Sequence, residues 1–345
     1  MRVFLLAAGL GTRLRPLTYA KPKALMPVAN RPSIVRLLDL LKPYAIKETF
    51  INLHAFPEEI KDEIGGGSWW NMKVHYSYEP ELMGTAGAIK KIGMFLADDR
   101  FILVNADIVT DFDIRNAIDF HDKSGARATL IMAEPRSKYS DQLISVGEDG
   151  RVLIEKSKMD RVKSGIYTGI GIFEPSVIKM IPHGYSSLID SILIPLAKEG
   201  SLFAYFQDGY WIDIGELDRY IQANKDLISG KTCLPIDGRL VGDNIWIDES
   251  AQIDLTVEIE EPALIGKGAC IERGVKIGPY AVIGKGCFID KNARIANSII
   301  WDKCEIARSV TIDGSIVTGS EGITPGKRII KSILNDGITE PLFGI

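Results

Sequence analysis

Two rhythms of apolar and polar residues divide the chain. Up to about residue 230, short apolar runs of strand length alternate with segments whose apolar residues recur at helical spacing. Residues 2–7, 48–53, 73–77, 101–105 and 128–133 read as strands. Residues 33–41, 57–64, 85–96 and 114–121 read as helices, and 219–228 as a closing helix. Pro32-Ser33 and Gly84 mark two of the helix starts. This alternation predicts a mostly parallel, three-layer α/β sheet. Ligands of such sheets bind beyond the carboxyl ends of the strands. The loop after the first strand and Asp107, after the fourth, are therefore expected at one crevice.

Past Ser229-Gly230-Lys231 the period becomes six. Every sixth position from Val241 to Ile295 is Val or Ile, and the position four residues after each, from Ile245 to Ile299, is usually small. Two unbroken columns at this spacing predict a parallel β-solenoid over 238–320, whose coils bury one aliphatic and one small side chain per face by stacking. Antiparallel strands would instead show period two. The register slips after Ile299 and resumes at Ile306 and Ile312. Residues 321–345 are expected to form a cap or tail. Cys287 falls in the small column, which marks it as a core side chain rather than a nucleophile.

Composition narrows the function classes. The chain has 345 residues, 46% apolar and 25% charged, with a formal net charge of −4, so no electrostatic case for nucleic acid or an anionic membrane arises. No apolar run has membrane-spanning length and no signal peptide is recognisable, so the expected compartment is the cytoplasm. The four cysteines are widely spaced and read as reduced thiols.

The most informative chemistry lies at residues 6–28. The first strand ends at Leu6 and opens into Ala7, Ala8, Gly9 and Gly11; Arg13, Arg15, Lys21 and Lys23 follow. Small residues allow a polyphosphate close to backbone N–H groups, and the cations can neutralise it. A Walker loop is excluded because no Lys follows the glycines at the required spacing, and a dinucleotide fingerprint because Leu14 stands where its third Gly belongs. Gly-Leu-Gly alone would fit a surface turn equally well. The longer string, Gly-x-Gly-Thr-Arg-Leu-x-Pro-Leu-Thr followed by Lys-Pro-Lys-x-Leu-x-Pro-Val, closely resembles the signature of the sugar-1-phosphate nucleotidyltransferases.

That resemblance covers nearly the whole chain. It implies a Rossmann-like catalytic domain over 1–230 and a left-handed parallel β-helix of hexapeptide repeats behind it. It also implies transfer of a nucleotidyl group from a nucleoside triphosphate to a sugar 1-phosphate with Mg²⁺. Leu6, Ala7, Ala8, Gly9, Gly11 and Thr12 would hold the nucleotide. Arg13 would draw on the β- and γ-phosphates and Lys23 on the α-phosphate. Asp107 and Asp213, the latter in Trp211-Ile212-Asp213-Ile214-Gly215, would bind the metal. Glu155-Lys156 resembles the sugar-phosphate motif, with Ser157 in place of its Pro, and Gly169 would let the backbone approach the sugar. Glu79, Gly84 and Thr85 would meet the base. An acceptor-only carboxylate at Glu79 suits the N–H edge of guanine. This leans toward mannose-1-phosphate guanylyltransferases, whereas residues 168–175 look more like a uridylyltransferase. Asp111 and Asp113 read as turn and helix-start residues, and Glu216 as the residue opening the closing helix.

Two other readings are open. A solenoid that also transfers an acyl group would commonly use a His, and none follows His183. A non-catalytic regulatory paralogue would be signalled by loss of Arg13, Lys23, Asp107 or Asp213, all of which are present. The solenoid is expected to build a homo-oligomer.

Overall fold

A computed structural model describes residues 1–135, 143–154, 163–335 and 337–342. They fall into two compact units. The first comprises 1–10, 22–25 and 33–213; the second comprises 11–21, 26–32 and 214–345. The closing helix Leu217–Ile228 belongs with the solenoid and carries two pieces of the N-terminal tract with it. The reason is hydrogen bonding remote in sequence. Tyr220 Oη donates to the Pro27 carbonyl at 2.8 Å, Ala29 N–H to Asn224 Oδ1 at 2.8 Å, and Asn30 Nδ2 to the Ile283 carbonyl at 2.7 Å.

In the first unit, apolar runs form a sheet of nine strands among the described residues. Its centre is Arg2–Leu6, parallel to both Phe101–Asn105 and Glu48–Leu53, with Lys73–Tyr78 parallel at the far edge. The long strand Lys163–Phe173 runs antiparallel to Phe101–Asn105, Ala128–Ala133 and Leu143–Val146. Two buried apolar clusters hold this sheet. One contains Ile34, Leu37 and Leu38 of the helix Ser33–Leu41; the other contains Ile89, Leu96 and Leu196. In the central three strands Leu6 pairs with Asn52 on one side and Asn105 on the other. Asn105 ends its strand and Asn52 stands one residue before the end of its own, so polar side chains gather at the carboxyl rim of the sheet.

The second unit contains the solenoid. Its short strands stack into three parallel sheets, and each strand of the first coils pairs with the one 18 residues later, as Ala263–Ile265 does with Ala281–Ile283. The slip read after Ile299 falls before it: Val282 pairs with Ile299 and Ile283 with Ile300, 17 residues apart, and Ile300 pairs with Val317 at the same spacing. Both columns are buried through the middle coils, Cys287 among them. The first coil differs from the column expected. Val241 is 53% exposed and sits on a strand antiparallel to Ile245–Ile247. The stacking also continues past residue 320. Arg328–Ile330 and Ser332–Asn335 pair in parallel with earlier coils, and Ile338–Pro341 turns back antiparallel as the end. No helix among the described residues is long and apolar enough to cross a membrane.

Candidate active site

In the first unit, the backbone leaving the central strand is held from the side. Asn52 Oδ1 accepts from Ala7 N–H at 2.7 Å and from Ala8 N–H at 3.3 Å. Its Nδ2 donates to Glu79 Oε1 at 2.8 Å, and Glu79 Oε2 accepts from Met83 N–H at 3.1 Å. Ala7, Ala8, Asn52 and Glu79 are all buried. The Ala7 and Ala8 amides are thus engaged by protein. Each Glu79 oxygen accepts one hydrogen bond, so its carboxylate orients the loop through Asn52. Gly9, next along, is exposed, and a Cβ there would meet nothing within 4 Å. Its lack of a side chain therefore serves no packing inside the protein.

Lys23 and Asp107 meet: the Lys23 ammonium donates to Asp107 Oδ2, with both side chains mostly buried. Ser33 sets this pair. Its hydroxyl lies 3.0 Å from the Ala24 carbonyl and 2.9 Å from the Ala106 carbonyl, between the residues adjoining Lys23 and Asp107. Asp107 occupies the turn between Phe101–Asn105 and Ile108–Thr110, and Asp213 pairs across with Ile108 in the antiparallel strand Trp211–Asp213. The two carboxylates thus leave adjacent backbone levels, although far apart in sequence.

Gly84 starts the helix Gly84–Lys91 with φ +70°, and a Cβ there would lie 2.5 Å from the Ser186 carbonyl. That carbonyl accepts from Ala86 and Gly87 N–H, capping the first turn in which Thr85 sits. Gly169 has φ +80° within a bulge of the long strand, and a Cβ there would lie 2.8 Å from Asn105 Nδ2. Its close neighbour is thus an asparagine of the polar rim, which the sequence did not suggest. The Tyr167 hydroxyl is buried with no hydrogen-bond partner among the described residues, and burial pushes its pKa up. Glu155 and Lys156 lie outside the described residues.

In the second unit, Gly11 takes the left-handed conformation at φ 60° and its carbonyl accepts from Thr18 Oγ1 at 2.9 Å and Leu14 N–H at 2.9 Å. Thr12 and Arg13 follow in a short 3-10 turn and are exposed. Arg13 Nη1 pairs with Glu216 Oε1, which also takes Arg219 Nη2 at 2.7 Å. The Arg219 guanidinium, helped by Arg13, holds the Glu216 carboxyl below the usual range. Glu216 is thus shared between two guanidiniums. Glu216 is more than a helix opener, and its partner at Arg13 was not legible in the sequence. Asp111 and Asp113 behave as expected: Asp111 accepts Tyr210 N–H at 2.7 Å, and Asp113 accepts Arg115 N–H at 3.0 Å.

A family model described as nucleotidyl transferase matches residues 2–230, and one described as GMPPB C-terminal domain matches 259–339. A UTP–glucose-1-phosphate uridylyltransferase of Synechocystis sp. is 32% identical, covering 97% of this chain and 87% of that one. A protein of Oryza sativa named mannose-1-phosphate guanylyltransferase 3 is 29% identical, covering 98% and 99%. A solved structure from Bacillus anthracis, named a glucose-1-phosphate thymidylyltransferase, shares the fold with a TM-score of 0.56 at 22% identity, covering 65% of this chain and 94% of that one. With the signature tract, the polar sheet rim and a match over two-thirds of its length, the chain belongs to the nucleotidyl transferase family, among the sugar-1-phosphate nucleotidyltransferases.

Proposed function

We propose that the protein condenses a nucleoside triphosphate with a sugar 1-phosphate. The sugar-phosphate oxygen attacks the α-phosphorus in line, the bond to the bridging β-phosphate oxygen breaks, and pyrophosphate leaves with that electron pair. The Lys23–Asp107 pair, set by Ser33 at the carboxyl rim of the sheet, is the observation that carries this reading. Lys23 stabilises charge at the α-phosphate and Arg13 receives the departing pyrophosphate. Gly9, Gly11 and Thr12 line the triphosphate's path, and Lys156, with Glu155, holds the sugar phosphate.

The residues fit a divalent cation. Asp107 already faces a cationic group in Lys23, and Asp213 lies on the paired strand. Mg²⁺ takes one or two carboxylates and fills its octahedron with water and substrate oxygens, so two Asp side chains suffice. Bound there, Mg²⁺ would neutralise phosphate charge.

For the substrates we favour GTP and mannose 1-phosphate, supported by the C-terminal family match and by the full-length likeness to the rice protein. A uridylyl or thymidylyl transfer is the second reading. It gains support from the Synechocystis relative. Pyrophosphate release across GTP, UTP, dTTP, CTP and ATP, each with several sugar 1-phosphates and Mg²⁺, decides between them. No turnover with any pair refutes the transferase reading. Wild-type turnover by the Asp107→Asn, Asp213→Asn double variant refutes the metal assignment. We also propose a homo-oligomer built through the solenoid, which exposes Leu240, Val241, Leu255 and Ile338. A monomer by light scattering overturns that.

A further inference from the structure

Trp301 lies on a middle coil of the solenoid and is 5% exposed. Three contacts within the second unit make it more than a packing residue. Its ring carries the Lys21 ammonium at 5.7 Å from the centroid. Its indole N–H donates to Tyr220 Oη at 3.0 Å. The Tyr220 hydroxyl in turn donates to the Pro27 carbonyl at 2.8 Å. Tyr220 is fully buried, so this hydroxyl has no water to fall back on. Lys21 ends one tract segment of the second unit, and Pro27 lies in the other. Both segments that flank Lys23 in sequence are therefore anchored on one indole, and Asn30 Nδ2 on the Ile283 carbonyl adds a second tie to the same solenoid.

We propose that Trp301 is a positioning residue for the nucleoside triphosphate: the solenoid fixes the conformation of the signature tract, and so serves the catalytic reaction as well as assembly. The inference rests on the proposed nucleotidyl transfer. A cation held against an indole face, and a turn held by a buried hydroxyl, remove chain freedom that triphosphate binding would otherwise have to remove. The sugar 1-phosphate, held elsewhere along the chain, gains nothing from this anchor.

The test uses the full-length protein and steady-state kinetics with each substrate varied in turn. Trp301→Leu removes ring and donor, Trp301→Phe keeps a ring but no donor, and Tyr220→Phe removes the hydroxyl with little change of volume. Ile295→Val, a core trim in another coil, controls for general loosening of the solenoid. Trp301→Leu is expected to raise KM for the nucleoside triphosphate about 10-fold, with Trp301→Phe and Tyr220→Phe near 3-fold, by the usual size of a cation–π contact and a buried hydrogen bond. KM for the sugar 1-phosphate stays within about 2-fold of wild type. In the double variant with Lys21→Met, the Trp301→Leu effect shrinks, since the pair acts together. Equal rises in both KM values, or an unchanged triphosphate KM in a folded Trp301→Leu protein, overturn the proposal. If Trp301→Leu unfolds, Trp301→Phe and Tyr220→Phe decide by the same split. A wild-type protein that turns over no nucleotide pair sinks the transferase reading itself, an outcome distinct from either.

Discussion

Removing the Asn52 side chain is the sharpest test of how the loop after the first strand is held. Asn52→Ala leaves three groups short of a partner. Ala7 N–H loses a 2.7 Å bond, Ala8 N–H a weaker one at 3.3 Å, and Glu79 Oε1 a 2.8 Å bond to an amide donor. An unsatisfied buried neutral donor costs about 1–3 kcal/mol, and a bond to a charged acceptor is worth about 1.5–3 kcal/mol. Assigning about 1.5 to Ala7, about 0.5 to Ala8 and about 2 to Glu79 gives a loss of about 4 kcal/mol, less whatever an entering water restores. For a unit of this size that is a fall in Tm of about 10 °C. Urea unfolding and calorimetry read the stability, and amide exchange at Ala7 and Ala8 reads the bonds directly. A chemical swap separates hydrogen bonding from volume. Asn52→Asp keeps the acceptor for both N–H groups but sets an anionic oxygen against Glu79, and is expected to be destabilising. Adding Glu79→Gln restores a donor across the pair and brings the double variant within about 1 kcal/mol of wild type. A stable Asn52→Ala protein with both amides still protected refutes the relay, as does a double variant no better than Asn52→Asp alone.

Gly169→Ala introduces a Cβ at φ +80° and only 2.8 Å from Asn105 Nδ2, and is expected to cost about 1–3 kcal/mol in urea unfolding while Gly9→Ala, in open space, costs under about 1 kcal/mol. His121 is buried between Thr129 Oγ1 at 2.7 Å and Glu174 Oε1 at 3.2 Å, and burial, outweighing Glu174, pushes its pKa below 6.5. The unfolded chain then binds the proton more readily than the folded one, so stability is full above pH 6.5 and falls on acidification. The urea midpoint should drop as the pH falls below 6.5, and His121→Gln should flatten that part of the profile.

The elements were legible wherever their signal is local. The strands 48–53, 101–105 and 128–133 and the helices 33–41 and 57–64 appear with the bounds their periodicity gives. The solenoid was legible because its repeat states the same local rule many times, although the shift to 17 residues falls before Ile299 rather than after it. Its ends were not, because a terminal coil has only one neighbour: Val241 keeps the period but lies on an antiparallel strand. Asp107 could be read because a polar residue ends an apolar strand. Asn52 bears that same mark near the end of 48–53 and was passed over. What no local pattern contains is pairing between distant residues. No local pattern tells that the register of two parallel strands brings Asn52 beside Glu79. Nor does one pair Arg13 with Glu216 or Lys21 with Trp301.

Those pairings bear on how a polyanion is recognised. None of the four cations in the tract simply faces water: Lys23 meets Asp107, Arg13 shares Glu216 with Arg219, Lys21 lies on Trp301, and Arg15 lies over the Tyr19 ring at 5.2 Å. These contacts differ in what they leave for a ligand. An indole face holds an ammonium without neutralising it, and Arg13 shares its carboxylate with Arg219. The Lys23–Asp107 pair alone cancels. Lys23 can act on an α-phosphate only when Asp107 finds another positive partner, and Asp107 can bind a cation only when Lys23 finds another anion. A nucleoside triphosphate arriving with its own divalent ion supplies both at once, whereas either alone leaves one half of a mostly buried pair uncompensated. On the proposed metal assignment, the pair is expected to favour a metal–nucleotide complex over its separate components, and that expectation follows from the contact itself and not from the number of charges in the tract.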